Sequence, residues 1–189
     1  SPLDWWEHPQ VAIARCNGTR VYNPTDIAAL GIAYQMHGLV LVDKEQNVLR
    51  NSIIWCDRRA VEIGDKAFNA IGQEQCLSHL LNSPGNFTAS KLAWVKANEP
   101  GVYAKVDKAM LPGDFIAMML TGEITTSVSA LSEGVFFDFQ TNGISKDVMS
   151  YYGFDEAVIP EVRDVFSPHG NLTADIAQKL NLKAGIPVT

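Results

Sequence analysis

The amino-acid sequence predicts a mixed α/β or α+β fold, and two observations carry that expectation. Residues 29–55 contain three β-rich runs joined by short polar connections, the pattern of consecutive strands. From about residue 58 the apolar period changes to that of helices, and several short helical stretches follow. A strand block followed by helices belongs to folds in which helices cover a sheet. The chain has 189 residues, 47% hydrophobic and 19% charged. That apolar content suits a core for one domain, or for a large part of a bigger one, and argues against disorder throughout.

Taken in order, residues 4–16 read as an opening helix, with Trp5 and Trp6 at its start, Pro9 near its first turn and Asn17-Gly18 as its stop. Asn23-Pro24 makes a turn into the first strand, residues 29–34. The polar loop Gln35-Met36-His37-Gly38 follows, and then the apolar run 39–42. Residues 43–47 form a hairpin turn, and 48–55 return as the third strand. Ala60, Ile63, Ala67 and Phe68 fall at helical spacing up to Gly72. A short helix over 74–81 stops at Asn82-Ser83-Pro84-Gly85. Thr88 is placed to cap the next helix, and Glu99-Pro100 opens another short segment. Pro112 suits the first turn of a helix ended by Thr121-Gly122. Residues 124–139, rich in Thr, Ser, Val and Phe, read as loop and strand. Ser145 and Thr173 are candidate caps of helices running to Tyr152 and Leu180, and residues 182–189 approach a further strand.

The formal net charge is −6, and the basic residues are scattered rather than gathered into a stripe. No nucleic-acid surface is expected from that distribution. No apolar run reaches the ~18 residues that span a bilayer, so no membrane association is expected. Residues 1–6 lack the basic and then apolar pattern of a signal peptide. Cys16, Cys56 and Cys76 form no Cys-x-x-Cys pair, and their odd number suggests neither a disulfide framework nor a zinc site. Reduced cysteines in a cytoplasmic protein are the expectation.

Three stretches carry candidate chemistry. Gln35-Met36-His37-Gly38 follows a strand, and polar groups at strand ends meet ligands in open α/β sheets. Gln and neutral His each offer a donor and an acceptor, which suits the hydroxyls of a sugar. Met adds an adaptable apolar wall, and Gly permits a sharp turn. Taken alone, the tetrapeptide reads first as an ordinary turn bearing a surface histidine. At Trp55-Cys56-Asp57-Arg58-Arg59, Trp55 can stack on a sugar face and Asp57 can bind a hydroxyl; strand-end packing by Trp55 and helix capping by Asp57 are the plain alternatives. In Phe87-Thr88-Ala89-Ser90-Lys91-Leu92-Ala93-Trp94, Lys91 and Trp94 share one helical face, where core packing with a snorkelling lysine is the ordinary reading.

The ordered series is more specific than its parts. It runs Gly31-Ile32-Ala33-Tyr34-Gln35-Met36-His37-Gly38-Leu39-Val40, then Ile53-Ile54-Trp55-Cys56-Asp57-Arg58-Arg59, then Phe87 to Lys96. Leu111-Pro112-Gly113-Asp114-Phe115 and Leu120-Thr121-Gly122-Glu123 complete it. This series resembles the first domain of the FGGY carbohydrate kinases, and its Gln-Met-His-Gly form resembles the xylulose kinase branch. The resemblance is strongest over about residues 27–140 and looser to Thr189. It implies an actin-like, ribonuclease H-like α/β fold of two domains with ATP in the cleft. It also implies transfer of the γ-phosphoryl of Mg-ATP to the C5 hydroxyl of D-xylulose. The family's Met-His pair contacts the sugar, which carries over onto Met36 and His37 with Gln35 as their neighbour; Trp55 and Asp57 are secondary candidates. Lys91 and Trp94 match family-marking structural residues, with Trp94 expected in the core. Asn86 departs from the aromatic or small residue of many members, and Ala97 from a polar one.

The resemblance also sets expectations about what residues 1–189 lack. The Asp-Ile-Gly-type hairpin that approaches the ATP phosphates, the Asp of a Gly-Asp-Asn/Gln segment that acts as base, and the adenosine-binding second domain are not found in this sequence. The chain is therefore expected to be part of the sugar-binding N-terminal domain, to hold no catalytic residue, metal or ATP of its own, and to be inactive alone. A sheet edge left open by the absent hairpin favours pairing between chains, hence a homodimer. Another FGGY sugar kinase, or a non-catalytic sugar-binding domain, is the alternative.

Overall fold

The computed structural model describes all 189 residues. Nine helices are laid against short ladders, in the mixed α/β class. The opening helix α1, Pro2–Gly18, begins earlier than its apolar pattern suggests. The Ser1 hydroxyl accepts from the Leu3 amide, and the Asp4 carboxylate accepts from the Ser1 amino group. This reciprocal cap fixes the start, so Pro2 takes the first turn and Pro9 lies inside the helix, where it leaves the Trp5 carbonyl without its usual amide. Pro24–Asp26 is a 3-10 turn.

The strand β1, Val40–Val42, is buried on both faces. Because side chains alternate along a strand, Leu39 and Leu41 enter one cluster with Ile53, Leu92 and Phe136. Val40 and Val42 enter another with Met110, Phe115 and Met118. Its regular partner is β2, Lys108–Met110, antiparallel with Val40 opposite Met110. The sequence pattern did not single out β2, because the pairing joins segments some seventy residues apart.

Two expected strands are corrected. Residues 30–32 are extended but form no ladder within the 29–55 block. Instead they run parallel to the chain's last residues, with Leu30 N donating to Pro187 O and Thr189 N to Leu30 O. The returning run touches β1 only at isolated bridges, Leu39 with Ile53 and Val42 with Val48. Residues 48–53 thus face the shorter stretch 39–42, a bulged arrangement in which the Ser52 hydroxyl donates to the Leu39 carbonyl at 2.7 Å.

The helical half follows the sequence closely. It comprises α2 (Val61–Ile71), α3 (Gln73–His79), α4 (Thr88–Asn98), α5 (Pro100–Tyr103) and α6 (Pro112–Thr121). Gly72 ends α2 at φ 109°, and Gly122 ends α6 in the left-handed region. Thr88 is not a cap: it is the first residue of α4, and its hydroxyl donates to the Gly38 carbonyl. Residues 124–139 contain a helix as well as strands. β3 (Thr125–Ser127) leads to α7 (Val128–Gly134), whose N-terminus is capped by Ser127, and β4 (Phe137–Asp138) follows. The β-branched composition hid that cap. β5 (Gly143–Ile144) pairs with β4, and Ser145 caps α8, Lys146–Tyr152, as expected. β6 (Glu161–Arg163) runs parallel to β3. β7 (Gly170–Asn171) and β8 (Pro187–Val188) flank α9, Ala174–Leu180. Thr173 precedes α9 without a side-chain cap.

Candidate functional site

The loop 35–38 lies at the entrance to β1, and its shape is set by contacts on every side. Gly38 is pressed against Pro112, and a Cβ there would lie 2.5 Å from the ring. His37 sits at φ 59°, in the left-handed region that non-glycine residues rarely adopt. Its ring meets Phe87 edge-on, with centroids 4.3 Å apart. Nδ1 is 3.0 Å from the Glu133 carbonyl on α7 and 3.3 Å from the Glu133 carboxylate. A carbonyl can only accept, so Nδ1 carries the proton. In the neutral ring Nε2 is then an acceptor, and it has no partner in the protein. The bond that orients the ring thus also prepares the other nitrogen to receive a hydroxyl.

Met36, its neighbour in the chain, and Trp55, on the loop that Gln35 reaches, are large apolar groups open to solvent, 55% and 59% exposed. Trp55 is therefore not packed at a strand end, as its plain reading had it. Gln35 holds the two loops together by accepting from the Trp55 amide at 3.4 Å. Asn86 binds the far side of the same loop, its Nδ2 donating to the Trp55 and Asp57 carbonyls at 3.3 and 2.7 Å. The Asn86 Oδ1 is buried with no partner.

Asp57 is already engaged. Arg59 grips its carboxylate at 2.7 Å, and that bond holds the Asp57 pKa below the usual carboxylate value. The Asp57 Oδ1 also accepts from the Arg59 amide, so the residue closes a local turn rather than capping α2, whose N-cap is Ala60. The Arg59 guanidinium lies 4.6 Å from the centre of the Trp94 ring. Trp94 is half-buried at the edge of the largest apolar cluster rather than inside it.

Lys91 departs furthest from its ordinary reading. It does not snorkel: it is wholly buried, at 0% exposure. Its ammonium donates to the His37 carbonyl at 2.5 Å. Burial pushes its pKa down to about 8, with Asp57 and Cys56 opposing the fall. Taking an ammonium out of water costs several kcal/mol, whereas one hydrogen bond from a charged donor returns about 1.5–3 kcal/mol. The run Thr88-Ala89-Ser90 before it is small and fully buried, which brings α4 close enough to β1 to shut out water. That run of small residues was the sequence signal for the burial. Glu133 and Phe87 gave no such signal, because both reach His37 only through the tertiary fold.

A cavity of about 520 Å³ lies on the other side of Gln35, among α1, residues 30–35 and α6. Trp5, Trp6, Ile13, Ile32, Ile116 and Leu120 make it mostly apolar, which fits sugar hydroxyls poorly. No three His, Cys, Asp or Glu side chains gather as a metal site. No helix is long and apolar enough to cross a membrane.

The model of the N-terminal domain of the FGGY family of carbohydrate kinases matches residues 1–189. The xylulose kinase of Escherichia coli (strain K12) is 29% identical over 187 residues, covering 99% of this chain and 38% of that protein. The crystal structure of a xyloylose kinase from Brucella ovis superposes with a TM-score of 0.86 at 30% identity, covering 100% of this chain and 39% of that one. The xylulose kinase structure from Rhodospirillum rubrum, at 24% identity, shows the same fold with a TM-score of 0.90, again over 100% of this chain and 39% of that one. The chain thus spans well under half the length of these relatives.

Proposed function

Because the chain belongs to the FGGY family of carbohydrate kinases, we propose that the intact protein is an ATP-dependent sugar kinase and that residues 35–38 hold its sugar. The observation that carries this reading is the His37 ring, fixed through Nδ1 with Nε2 left without a protein partner, in a loop with exposed Met36 and bonded through Gln35 to the loop of exposed Trp55. An open acceptor and two apolar surfaces on these joined loops suit a polyhydroxylated ring or chain, which presents hydroxyls on its edges and C–H groups on its faces. Met36 and His37 make the primary contacts, Gln35 supports them, and Trp55 is the stacking surface. Asp57 is a weaker candidate, since a sugar hydroxyl would share a carboxylate that Arg59 already holds.

The substrate is D-xylulose and the product D-xylulose 5-phosphate, with the name of the Escherichia coli relative in support. Phosphoryl transfer depends on positioning and on neutralising phosphate charge. It also requires a group to take the hydroxyl proton. ATP, Mg2+ and the base belong to segments of the intact protein outside residues 1–189. A related ketose or sugar acid is the second reading, favoured by Asn86, whose amide braces the Trp55 loop where the wider family has an aromatic or small residue.

The test is a substrate panel on the intact protein with Mg-ATP. D-xylulose is expected to give the highest kcat/KM, and His37→Ala to lower it. One lost hydrogen bond of about 1–3 kcal/mol corresponds to roughly 5- to 150-fold. A panel with no phosphorylated sugar overturns the kinase reading, and unchanged kinetics in the His37 variant overturn the site.

A further inference from the structure

We propose that Lys91 is a positioning residue for the sugar: its buried ammonium holds the His37 carbonyl and, through that backbone, the ring that meets a hydroxyl. The inference rests on residues 35–38 being the sugar loop. Lys91 is wholly buried, so it cannot touch the ligand and can act only through its neighbour. Its ammonium makes its hydrogen bond to the His37 carbonyl.

The geometry of His37 gives that bond its purpose. A residue held at φ 59° without glycine's freedom needs its surroundings to keep it there. Three groups do so from different directions: Phe87 against the ring, Glu133 at Nδ1, and Lys91 at the backbone carbonyl. Lys91 and Phe87 belong to one support, since the Lys91 amide donates to the Phe87 carbonyl across the first turn of α4. On the other side Gly38 is pinned by Pro112. The peptide between His37 and Gly38 therefore has one orientation, and Nε2 has one place to point. An apolar side chain of similar length at position 91 fills the space but leaves the carbonyl without a donor. The peptide is then free to turn, and the ring leaves its place.

The test uses the intact protein with His37→Ala, Lys91→Met and the double variant, varying sugar at saturating ATP and then ATP at saturating sugar. Lys91→Met is expected to raise the sugar KM by roughly tenfold and to leave the KM for ATP unchanged. The double variant is expected to be no worse than the poorer single one, because both changes remove the same contact. Lys91→Gln, which keeps a donor on a shorter stem, is the second variant. A sugar KM at the wild-type value in Lys91→Met, or losses that multiply in the double variant, overturns the role of Lys91 while the sugar loop stands. Unchanged sugar kinetics in His37→Ala overturn the sugar loop and this inference together. Should neither Lys91 variant fold, Lys91 serves the fold alone and the proposal is overturned.

Discussion

Asp114 is a carboxyl group with almost no water around it, on the first turn of α6. It accepts from the Leu111 amide at 3.2 Å and from the Thr126 hydroxyl at 3.0 Å, tying α6 to β3. Burial outweighs both bonds and pushes its pKa up to about 7 from 3.8. Between those values the unfolded chain has released the proton while the folded chain keeps it. Folding therefore takes up a proton, and stability falls as pH rises through this window, at no more than about 1.4 kcal/mol per pH unit. Above the folded pKa the loss is complete. Asp114→Asn cannot ionise and lacks this term. The unfolding free energy of the wild type, measured against that variant in urea, is expected to drop by roughly 1–3 kcal/mol between pH 5 and pH 8. A difference that stays level with pH would show the carboxyl charged throughout. The candidate site residues His37 and Met36 stand out in the sequence because they lie in one contiguous loop. Lys91 was visible only as a family mark, and its contact with a carbonyl 54 positions away was not. Hydrogen bonds from a side chain to distant backbone leave no local pattern.

Elements meet most closely where glycine permits it, and two glycines predict opposite outcomes for the same change. Gly64, in α2, lies against the loop before α4; a Cβ there would stand 1.9 Å from the Gly85 carbonyl oxygen. Backbone cannot move aside as a side chain can, so Gly64→Ala is expected to destabilise by about 1–3 kcal/mol or more. Gly18, at the end of α1, has nothing within 4 Å of its added Cβ. Gly18→Ala is expected to be neutral or stabilising by up to about 1 kcal/mol, through helix propensity and a less flexible unfolded chain. Thermal unfolding of the two variants distinguishes the cases, and equal shifts would contradict the packing of α2. At this scale helices were legible wherever capping and period agreed, as at Ser145 with Gly153 and at Pro112 with Gly122. Strands were legible as extended runs but not as pairs. The partners of residues 30–32 lie at the far end of the chain, and β1 makes its regular ladder with β2 and only isolated bridges with its sequence neighbour. Periodicity reports which face is apolar, and pairing is decided by which distant edge covers it.

Over the whole molecule, three apolar clusters lie along β1 and α6, and the candidate loop 35–38 leads into β1, whose two faces enter the first and third of them. Two charged-type groups that the fold buries, Lys91 and Asp114, are committed to a backbone carbonyl and to the α6–β3 contact. Asp138 is paired with His79 at 3.0 Å, away from the loop. None of these is positioned beside His37 Nε2 to take a proton from a bound hydroxyl. Residues 1–189 alone are therefore expected to show no ATP-dependent phosphorylation of D-xylulose, while the intact protein phosphorylates it. A coupled assay for ADP with each protein, run beside a no-protein control, makes the comparison. Turnover by the 189-residue chain above that control would overturn this expectation, and Glu133, whose carboxylate stands 3.3 Å from His37 Nδ1, would be the first to replace.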